Sequence, residues 1–409
     1  MKRKLMAGLI IGAFFLVQIF SICLQGRTVA ASENNQAKRQ YLVAGNSEFA
    51  IDLYKNINAS DADKNIFFSP FSISTALSMT YAGASGNTAQ QMAATMHFQL
   101  APSELHPAFS DLAGDLQVAN KGYQLNIANA LWGQQGYEFQ PDFLEVIQSY
   151  YKGGFNTVDF INQTEVSRGI INHWVELKTN DKIKDLLPKG SLTGHTRLVL
   201  TNGIYFKGDW ATKFKPKDTM LSTFYTKADK TVTVPMMHQR GQFRYAEIDG
   251  IKVLEMPYVG EDLSMVVVLP KRNLAEFNQV LTANCLNDWL AKTYKQEIEV
   301  SLPKFKFESN YELGDVLSGM GMSDAFSEQR ADFSGISGKK DLYITKVIHK
   351  AVIEVNEEGS EAAAATAVIV GTKSVHMSEE FKADRPFLFF IRHNPTGSIL
   401  FMGHVVNPV

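Results

Sequence analysis

The sequence has little cysteine and no excess of charge of either sign. Its 409 residues include two cysteines, Cys23 and Cys285, which excludes a disulfide-dense scaffold and a zinc site made of several thiolates. The 40 Lys and Arg residues nearly balance 42 Asp and Glu residues, and 45% of the chain is hydrophobic. Such a chain can bury a sizeable core, which argues against a disordered protein and against a basic protein that coats nucleic acid. We therefore expect packing alone to hold the fold.

Local motifs of catalysis and cofactor binding are also lacking. The sequence contains no G-x-S-x-G, H-E-x-x-H or P-loop motif, and its nine histidines are scattered. Gly319 and Gly321 resemble the start of a dinucleotide loop, but Asp324 stands where the third glycine is needed. An enzyme whose catalytic groups are assembled in space stays possible. Nothing local indicates a metal site, a cofactor or an enzyme.

The N-terminal residues 1–31 have the layout of an export signal. Three basic residues precede an apolar stretch over 5–24, and small residues lead to Ala31, after which we place the cleavage. The alternative is an uncleaved anchor, since the stretch approaches the roughly 20 residues that span a bilayer. Cleavage removes four basic residues and no acid, so the formal charge falls from −2 to −6. We expect a secreted protein, extracellular or periplasmic, without a membrane span after cleavage.

The sequence over residues 32–409 predicts a single domain of the α+β class. No Pro/Gly/Ser-rich linker, charge block or repeat divides them. Helical periodicity dominates the first third and short strands follow from Lys230 onward, an order typical of α+β folds rather than of doubly wound ones. We predict helices over 72–82, 143–151 and 166–177, strands over 123–132, 197–206, 387–392 and 398–405, and a hairpin that pairs 252–258 with 263–269. We expect Cys285 to be a small buried residue of a helix over 281–290.

The segment from Glu357 to Arg385 does not have the pattern of a core element. Its run EEGSEAAAATA is followed by Val368, Ile369 and Val370, and no proline occurs between Lys304 and Arg385. An alanine run by itself favours a short surface helix or a linker. Read with the period of a strand, however, one face carries small or β-branched residues without charge: Ser360, Ala362, Ala364, Thr366, Val368 and Val370. A strand of this pattern can enter an existing sheet without burying a charge.

Five blocks of the sequence resemble the serpin family of serine protease inhibitors, in the family's order. The string EEGSEAAAATA (357–367) resembles the inhibitory hinge, and FKADRPFLFFI (381–391) resembles the C-terminal signature. The other three blocks are NIFFSPFSISTALSMTYAGASGNT (65–88), TNGIYFKGDW (201–210) and FMGHVVNP (401–408). The resemblance spans nearly the whole mature chain and implies the serpin fold, with helices packed on mainly antiparallel sheets and an exposed reactive-centre loop at about 357–385.

The resemblance implies a suicide-substrate inhibitor. A protease cleaves the reactive-centre loop, and the freed hinge then inserts into a sheet and traps the acyl-enzyme. The family count from the hinge places the cleaved bond at Lys373–Ser374, which suits a trypsin-like protease, although a count from the C-terminal signature moves it toward Val375. Gly371 and Thr372 remain possible sites for other proteases. The hinge residues are Gly359, Ser360, Glu361, Ala362, Ala363, Ala364, Ala365 and Thr366.

By motif position, a polar cluster that controls opening of the receiving sheet is also implied. Its members are Ser69, Ser72, Asn202 and His349, and Trp210 matches the family's aromatic residue at the upper opening of the same sheet. Without the resemblance to the family, His349 between strand residues is interpreted as a core histidine whose ring nitrogens are hydrogen-bonded. Trp210 is then interpreted as an ordinary residue of the core. Both interpretations predict that His349 is buried and hydrogen-bonded.

The sequence therefore predicts an inhibitor of serine proteases that acts as a monomer and binds no nucleic acid. A polyanion cofactor has no support, because residues 102–120 contain no Lys or Arg. The alternative is a serpin that has lost inhibition and serves as a carrier or chaperone. A proline or a bulky charge in the hinge would favour that alternative, and neither occurs there.

Overall fold

A computed structural model describes residues 34–116, 122–152, 154–226, 230–271, 273–360 and 379–409. This part of the chain has the predicted α+β fold. The helices are α1 (34–61), α2 (Pro70–Tyr81), α3 (Gly86–Thr95), α4 (Pro102–Leu116), α5 (Pro141–Tyr151), α6 (Thr164–Lys178), α7 (Leu274–Val280), α8 (Ala283–Lys292), α9 (Gly314–Gly319) and α10 (Ser334–Ser337), with 3₁₀ turns at Pro216–Asp218 and Asp324–Phe326.

Fifteen strands form two sheets in the described ranges. The strands are β1 (Ile66–Phe68), β2 (Tyr123–Gln134), β3 (Phe155–Val158), β4 (Leu198–Asp209), β5 (Met220–Tyr225), β6 (Thr231–Ile248), β7 (Ile251–Pro257), β8 (Leu263–Pro270), β9 (Tyr294–Pro303), β10 (Phe305–Glu312), β11 (Lys346–Val355), β12 (Gly359–Ser360), β13 (Glu379–Lys382), β14 (Phe387–His393) and β15 (Ile399–Val405). The larger sheet has the order β1-β15-β14-β8-β7-β6-β9-β13, with β5 paired to β6.

The smaller sheet carries the candidate site. Its order is β10-β11-β4-β2-β3, and the two-residue strand β12 pairs with β4. Strand β4 lies at the centre, antiparallel to β2 and parallel to β11. Its residues are almost all buried, as expected for a strand covered on both faces.

Two layers cover strand β4. On one face, Phe206 packs against Phe401 of the larger sheet with ring centroids 5.7 Å apart, and helix α2 lies at the same interface. On the other face, helix α6 buries Ile171 and Val175 against the neighbouring strand β2. The sheet that carries the candidate site is thus held between a second sheet and a helix.

The predicted hairpin and C-terminal strands are confirmed. Strands β7 and β8 pair antiparallel with Met256 opposite Met265, and β14 and β15 pair with each other. Strand β8 is buried along its whole length, which explains why Ser264 is the one polar residue in its run LSMVVVLP. The expectation of only short strands after Lys230 was wrong, because β6 runs for 18 residues from Thr231 to Ile248. It reaches this length by pairing with β5 and β9 and then with β7.

Two further expectations need correction. Cys285 is half-buried rather than buried, because helix α8 begins at Ala283 and its first turn, where Thr282 caps the Cys285 N–H, is partly open to solvent. The segment predicted as the reactive-centre loop, 357–385, contains two short strands among its described residues. Gly359–Ser360 forms β12, and Glu379–Lys382 forms β13, which pairs with β9 and buries Phe381.

Among the residues that the structure describes, no helix combines the length and the apolar character needed to cross a membrane.

Candidate functional site along strand β4

A buried polar cluster lies beneath the middle of the smaller sheet. It begins at Ser69, the residue that caps helix α2. The Ser69 Oγ accepts a hydrogen bond from the Ser72 N–H at 3.2 Å and donates one to the Leu400 carbonyl at 2.6 Å. Pro70 at the first helical position lacks an N–H that would need a partner there. The S-P-F-S sequence thus fixes the start of α2 directly below β4 and β11.

His349 on β11 connects the helix cap to strand β4. The Ser69 backbone N–H can only donate, so the His349 Nε2 that lies 3.2 Å away is an acceptor without a proton. The Nδ1 then carries the proton and donates it to the Asn202 Oδ1. Burial lowers the pKa of His349 to about 3, in agreement with a neutral ring. Tyr311 stacks on the imidazole with ring centroids 6.4 Å apart.

Asn202 extends the cluster to strand β2. Its Nδ2 donates to the Ser72 Oγ at 2.6 Å and to the Asn129 Oδ1. The Asn129 Oδ1 also accepts from the Ser72 Oγ at 2.9 Å, and its Nδ2 donates to the Ser72 carbonyl at 3.1 Å. His349, Asn202 and Asn129 lie directly opposite one another on β11, β4 and β2. Separating β4 from β11 therefore breaks side-chain hydrogen bonds as well as the backbone ladder.

The four residues predicted for the polar cluster meet here. Ser69, Ser72, Asn202 and His349 form the network, and Trp210, matched to the upper opening of the sheet, lies just beyond the end of β4. Eight residues along an extended chain separate Asn202 from Trp210, a distance of roughly 26 Å. Asn129 was not predicted. Its signal in the sequence is a polar residue within the otherwise apolar run ANALW of strand β2.

Trp210 belongs to a second group of residues, at the upper end of β4. Its ring stacks on Tyr258 with centroids 4.7 Å apart and an interplanar angle of 9°. Its Nε1–H donates to the Asn356 carbonyl at 3.0 Å, and its backbone N–H donates to the Glu358 carbonyl at 2.8 Å. Trp210 therefore holds the turn that follows β11.

Strands β4 and β11 separate at this end, and β12 starts between them. Their pairing ends at Val352 opposite Tyr205. After the turn, Gly359 pairs antiparallel with Asp209 and Ser360 with Gly208, and the Asn356 N–H donates to the Gly359 carbonyl at 2.9 Å. The first two residues of the predicted hinge thus already form a strand on the side of β4 that faces β11.

Position 359 requires glycine because the backbone of β4 approaches it closely. Its φ of +153° is one that residues with a side chain rarely adopt, and a Cβ would lie 2.1 Å from the Gly208 carbonyl oxygen. Ser360 follows with its side chain buried, and its Oγ lies 2.9 Å from the Tyr258 hydroxyl. Burial raises the pKa of Tyr258, so the hydroxyl remains protonated.

Two glutamates of the turn are held by lysines. Glu357 accepts from the Lys304 Nζ at 2.7 Å and from the Thr219 Oγ1 at 2.8 Å. Glu358 pairs with Lys213. These contacts fix the direction in which the chain enters β12.

The remaining predicted site residues lie outside the described residues. They are Glu361, Ala362, Ala363, Ala364, Ala365, Thr366, Lys373 and Ser374, together with the export signal over 1–31. Within the described ranges, no group of three or more His, Cys, Asp or Glu side chains is placed to hold a metal ion.

Comparison with known proteins identifies the family. The family model described as Serpin (serine protease inhibitor) matches residues 44–408. The chain belongs to the serpin family. Its relatives include leukocyte elastase inhibitors from Xenopus tropicalis, 45% identical over 88% of this chain and 98% of the relative, and from Homo sapiens, 42% identical over 90% and 100%. This serpin is thus a serine protease inhibitor and not an enzyme.

Solved structures agree with the fold of this serpin. Uncleaved ovalbumin is 34% identical, with a TM-score of 0.83 and coverage of 90% of this chain and 100% of ovalbumin. Maspin is 29% identical, with a TM-score of 0.84 and coverage of 91% and 100%. The serpin fold expected from the sequence is confirmed.

Proposed function

We propose that this serpin is an exported inhibitor of trypsin-like serine proteases that is cleaved once at Lys373–Ser374 and traps the acyl-enzyme by inserting its hinge beside β4. The observation that carries the proposal is the pairing of Gly359 with Asp209 and of Ser360 with Gly208. These two pairs start a strand at the point where β4 and β11 part, and they define the register in which the hinge would continue.

Continued in this register, the hinge fits the residues of β4. Val370 would reach Leu198, the first residue of β4, so insertion from 361 to 370 would cover the whole strand. Residues directly opposite in an antiparallel pair share a face of the sheet. The uncharged hinge face that begins at Ser360 would therefore lie over Leu200, Ile204 and Phe206, which face the buried interface with α2 and the larger sheet.

In this register, two of the residue pairs would match in charge or in polarity. Glu361 would lie opposite Lys207, a pair of opposite charges near the upper edge of the sheet. Thr366 would lie opposite Asn202, next to the polar cluster of His349. Net hydrogen bonds of roughly 0.5 to 1.5 kcal/mol each over ten residues would supply on the order of 10 kcal/mol. Since about 1.4 kcal/mol is tenfold in rate, a protease whose triad is distorted by insertion could be stalled by many decades.

Lys373 supports a trypsin-like target, because a carboxylate in the specificity pocket of such a protease would pair with its ammonium. The names of the relatives favour a second candidate. They are called leukocyte elastase inhibitors, and elastase has a small specificity pocket that suits a short aliphatic side chain. Val375, to which the count from the C-terminal signature leads, is such a residue.

Incubation with trypsin and, separately, with pancreatic elastase tests the proposal. We expect a covalent complex with trypsin that survives boiling in detergent, and a released C-terminal peptide that begins at Ser374 by mass spectrometry. A peptide that begins at His376 in an elastase complex would instead support the second candidate. Cleavage by both proteases without any stable complex would leave the carrier or chaperone alternative and would overturn the proposed inhibition.

Export and a monomeric state are part of the proposal. The family match begins at residue 44, so the signal layout over 1–31 precedes the part of the chain that the family shares. N-terminal sequencing of protein secreted by an expressing cell should begin at Ser32, and sedimentation of that protein should give a single species of one chain. Protein that stays with the membrane would indicate the uncleaved anchor.

A further inference from the structure

A groove of about 640 Å³ lies between the edge strand β3 and helix α6. It is formed by every residue of β3, by Asp159 just after it, and by Val166, Ile170 and Trp174 on the helix. It is remote in the sheet order from β12, since β2 and β4 stand between them. The groove therefore takes no part in the proposed insertion beside β4.

The strand along this groove has an open hydrogen-bonding edge. The Leu131 N–H donates to the Gly154 carbonyl at 2.7 Å, and the Gln135 N–H donates to the Val158 carbonyl at 2.9 Å. In a parallel ladder, alternate residues direct their backbone groups to opposite sides. Phe155 and Thr157 therefore direct their N–H and C=O groups away from β2, and these groups have no hydrogen-bond partner in the described part of the chain. Such an edge pairs readily with an added strand.

The helix supplies an apolar wall opposite this edge. Val166 and Ile170, one turn apart on α6, leave 57% and 49% of their surface exposed. Trp174, a further turn along, is half-buried and meets Trp132 edge-on with ring centroids 5.5 Å apart. Large apolar side chains exposed together along one face of a helix are typical of a protein interaction site.

The groove has a negative charge and no positive one. Asp159 is the single ionisable residue among those that line it. Hydrogen bonds from the Asn162 N–H at 3.1 Å and the Gln134 Nε2 at 3.2 Å lower the pKa of Asp159, so the carboxylate is ionised at neutral pH. No Lys or Arg in the described ranges forms an ion pair with it. The charge therefore complements a cation on the molecule that binds.

We propose that this groove binds an extended segment of a partner protein, which adds a strand to the open edge of β3, places apolar side chains against Val166 and Ile170, and sets a Lys or Arg at Asp159. Backbone N–H and C=O groups in an extended segment are the groups that Phe155 and Thr157 can pair with, a mode known as β-augmentation. A second copy of this chain fits less well, because two β3 edges side by side would bring two Asp159 carboxylates and no cation.

The probe is a fluorescein-labelled heptapeptide in which valine alternates with threonine and the central residue is lysine. Fluorescence anisotropy against the full chain should show saturable binding. The same peptide with glutamate for lysine, or with N-methyl groups on the amides of one edge, should bind at least about tenfold more weakly. Bound peptide should also slow amide exchange over residues 155–158.

Three variants test the contacts, with one matched control. Thr157→Pro removes an N–H that points away from β2, a position at which an edge strand tolerates proline. Thr157→Pro, Ile170→Glu and Asp159→Asn should each weaken binding at least about tenfold. Leu177→Glu is the control, because Leu177 is 64% exposed on the same helix but does not line the groove, and it should leave binding unchanged.

The outcomes separate the possible occupants. Absence of saturable binding, or equal binding to Ile170→Glu and to Leu177→Glu, would overturn the proposal even if Thr157→Pro failed to fold. Self-association in sedimentation that Ile170→Glu abolishes, without peptide binding, would mean that a second copy occupies the groove and would overturn it as well.

Discussion

The Tyr258 hydroxyl lies 2.9 Å from the Ser360 Oγ, and both side chains are buried. Tyr258 in turn stacks on Trp210, which holds the turn before β12. The first hinge residues are thus docked on the smaller sheet in the uncleaved chain. This relationship makes Ser360 the residue at which the entry of the hinge can be tested most sharply.

Ser360→Arg should convert this serpin from an inhibitor to a substrate. The guanidinium would replace a buried hydroxyl next to Tyr258, and a buried charge without a partner is costly. We expect at least about a tenfold drop in the fraction of protease trapped, measured on a denaturing gel. Ser360→Ala is the matched control, since it removes the same hydroxyl without placing a charge on the buried face. Equal trapping by wild type and Ser360→Arg would contradict the insertion account.

Gly359→Ala should destabilise the uncleaved chain. The added Cβ would meet the Gly208 carbonyl oxygen at 2.1 Å, so β12 must shift away from β4 at a cost of about 1 to 3 kcal/mol. A lower melting temperature checks this. Gly169→Ala in helix α6 is the control, because no atom other than its chain neighbours and the backbone of its own helix lies within 4 Å of its Cβ position, and alanine favours a helix. A melting temperature that Gly359→Ala leaves unchanged would show that β12 is not held as described.

His349 should make the fold sensitive to acid. Its pKa is about 3 when folded and about 6.5 when unfolded, so below pH 6.5 the unfolded state binds the proton first. Its contribution to stability is full above pH 6.5 and is lost as the pH falls toward 3, by about 1.4 kcal/mol per pH unit. His106 and His404, whose pKa values burial lowers to about 4, act in the same direction.

His349→Gln tests this contribution, because glutamine can still accept from Ser69 and donate to Asn202 but does not titrate. The midpoint of urea unfolding, measured between about pH 6.5 and 4.5, should fall less steeply in the variant than in the wild type. Identical pH profiles would contradict the neutral, buried state assigned to His349.

Asn129→Ala should cost about 1 to 3 kcal/mol, because it leaves Asn202 and Ser72 with unpaired buried groups. Asn126→Ala is the control, since the buried Nδ2 of Asn126, on the same strand, has no partner in the described ranges. A double-mutant cycle with Asn202→Ala should be non-additive. Additive free energies of unfolding would show that Asn129 is not part of the cluster.

The sequence predicts the helices and strands of this fold better than it predicts which residues of different strands lie next to one another. The run over 197–206 predicts a central strand, which is β4, and the family blocks indicate the residues around Ser69 and His349. Asn129 could not be found in this way, because only the register of β2 against β4 places it opposite Asn202.

The structure of the chain cleaved at Lys373–Ser374 tests the central claim most directly. We predict that residues 361–370 form a strand between β4 and β11, with Thr366 opposite Asn202 and Val370 opposite Leu198. A cleaved hinge that remains outside the sheet, or that enters it in a register other than the one set by Gly359 and Asp209, would contradict the account.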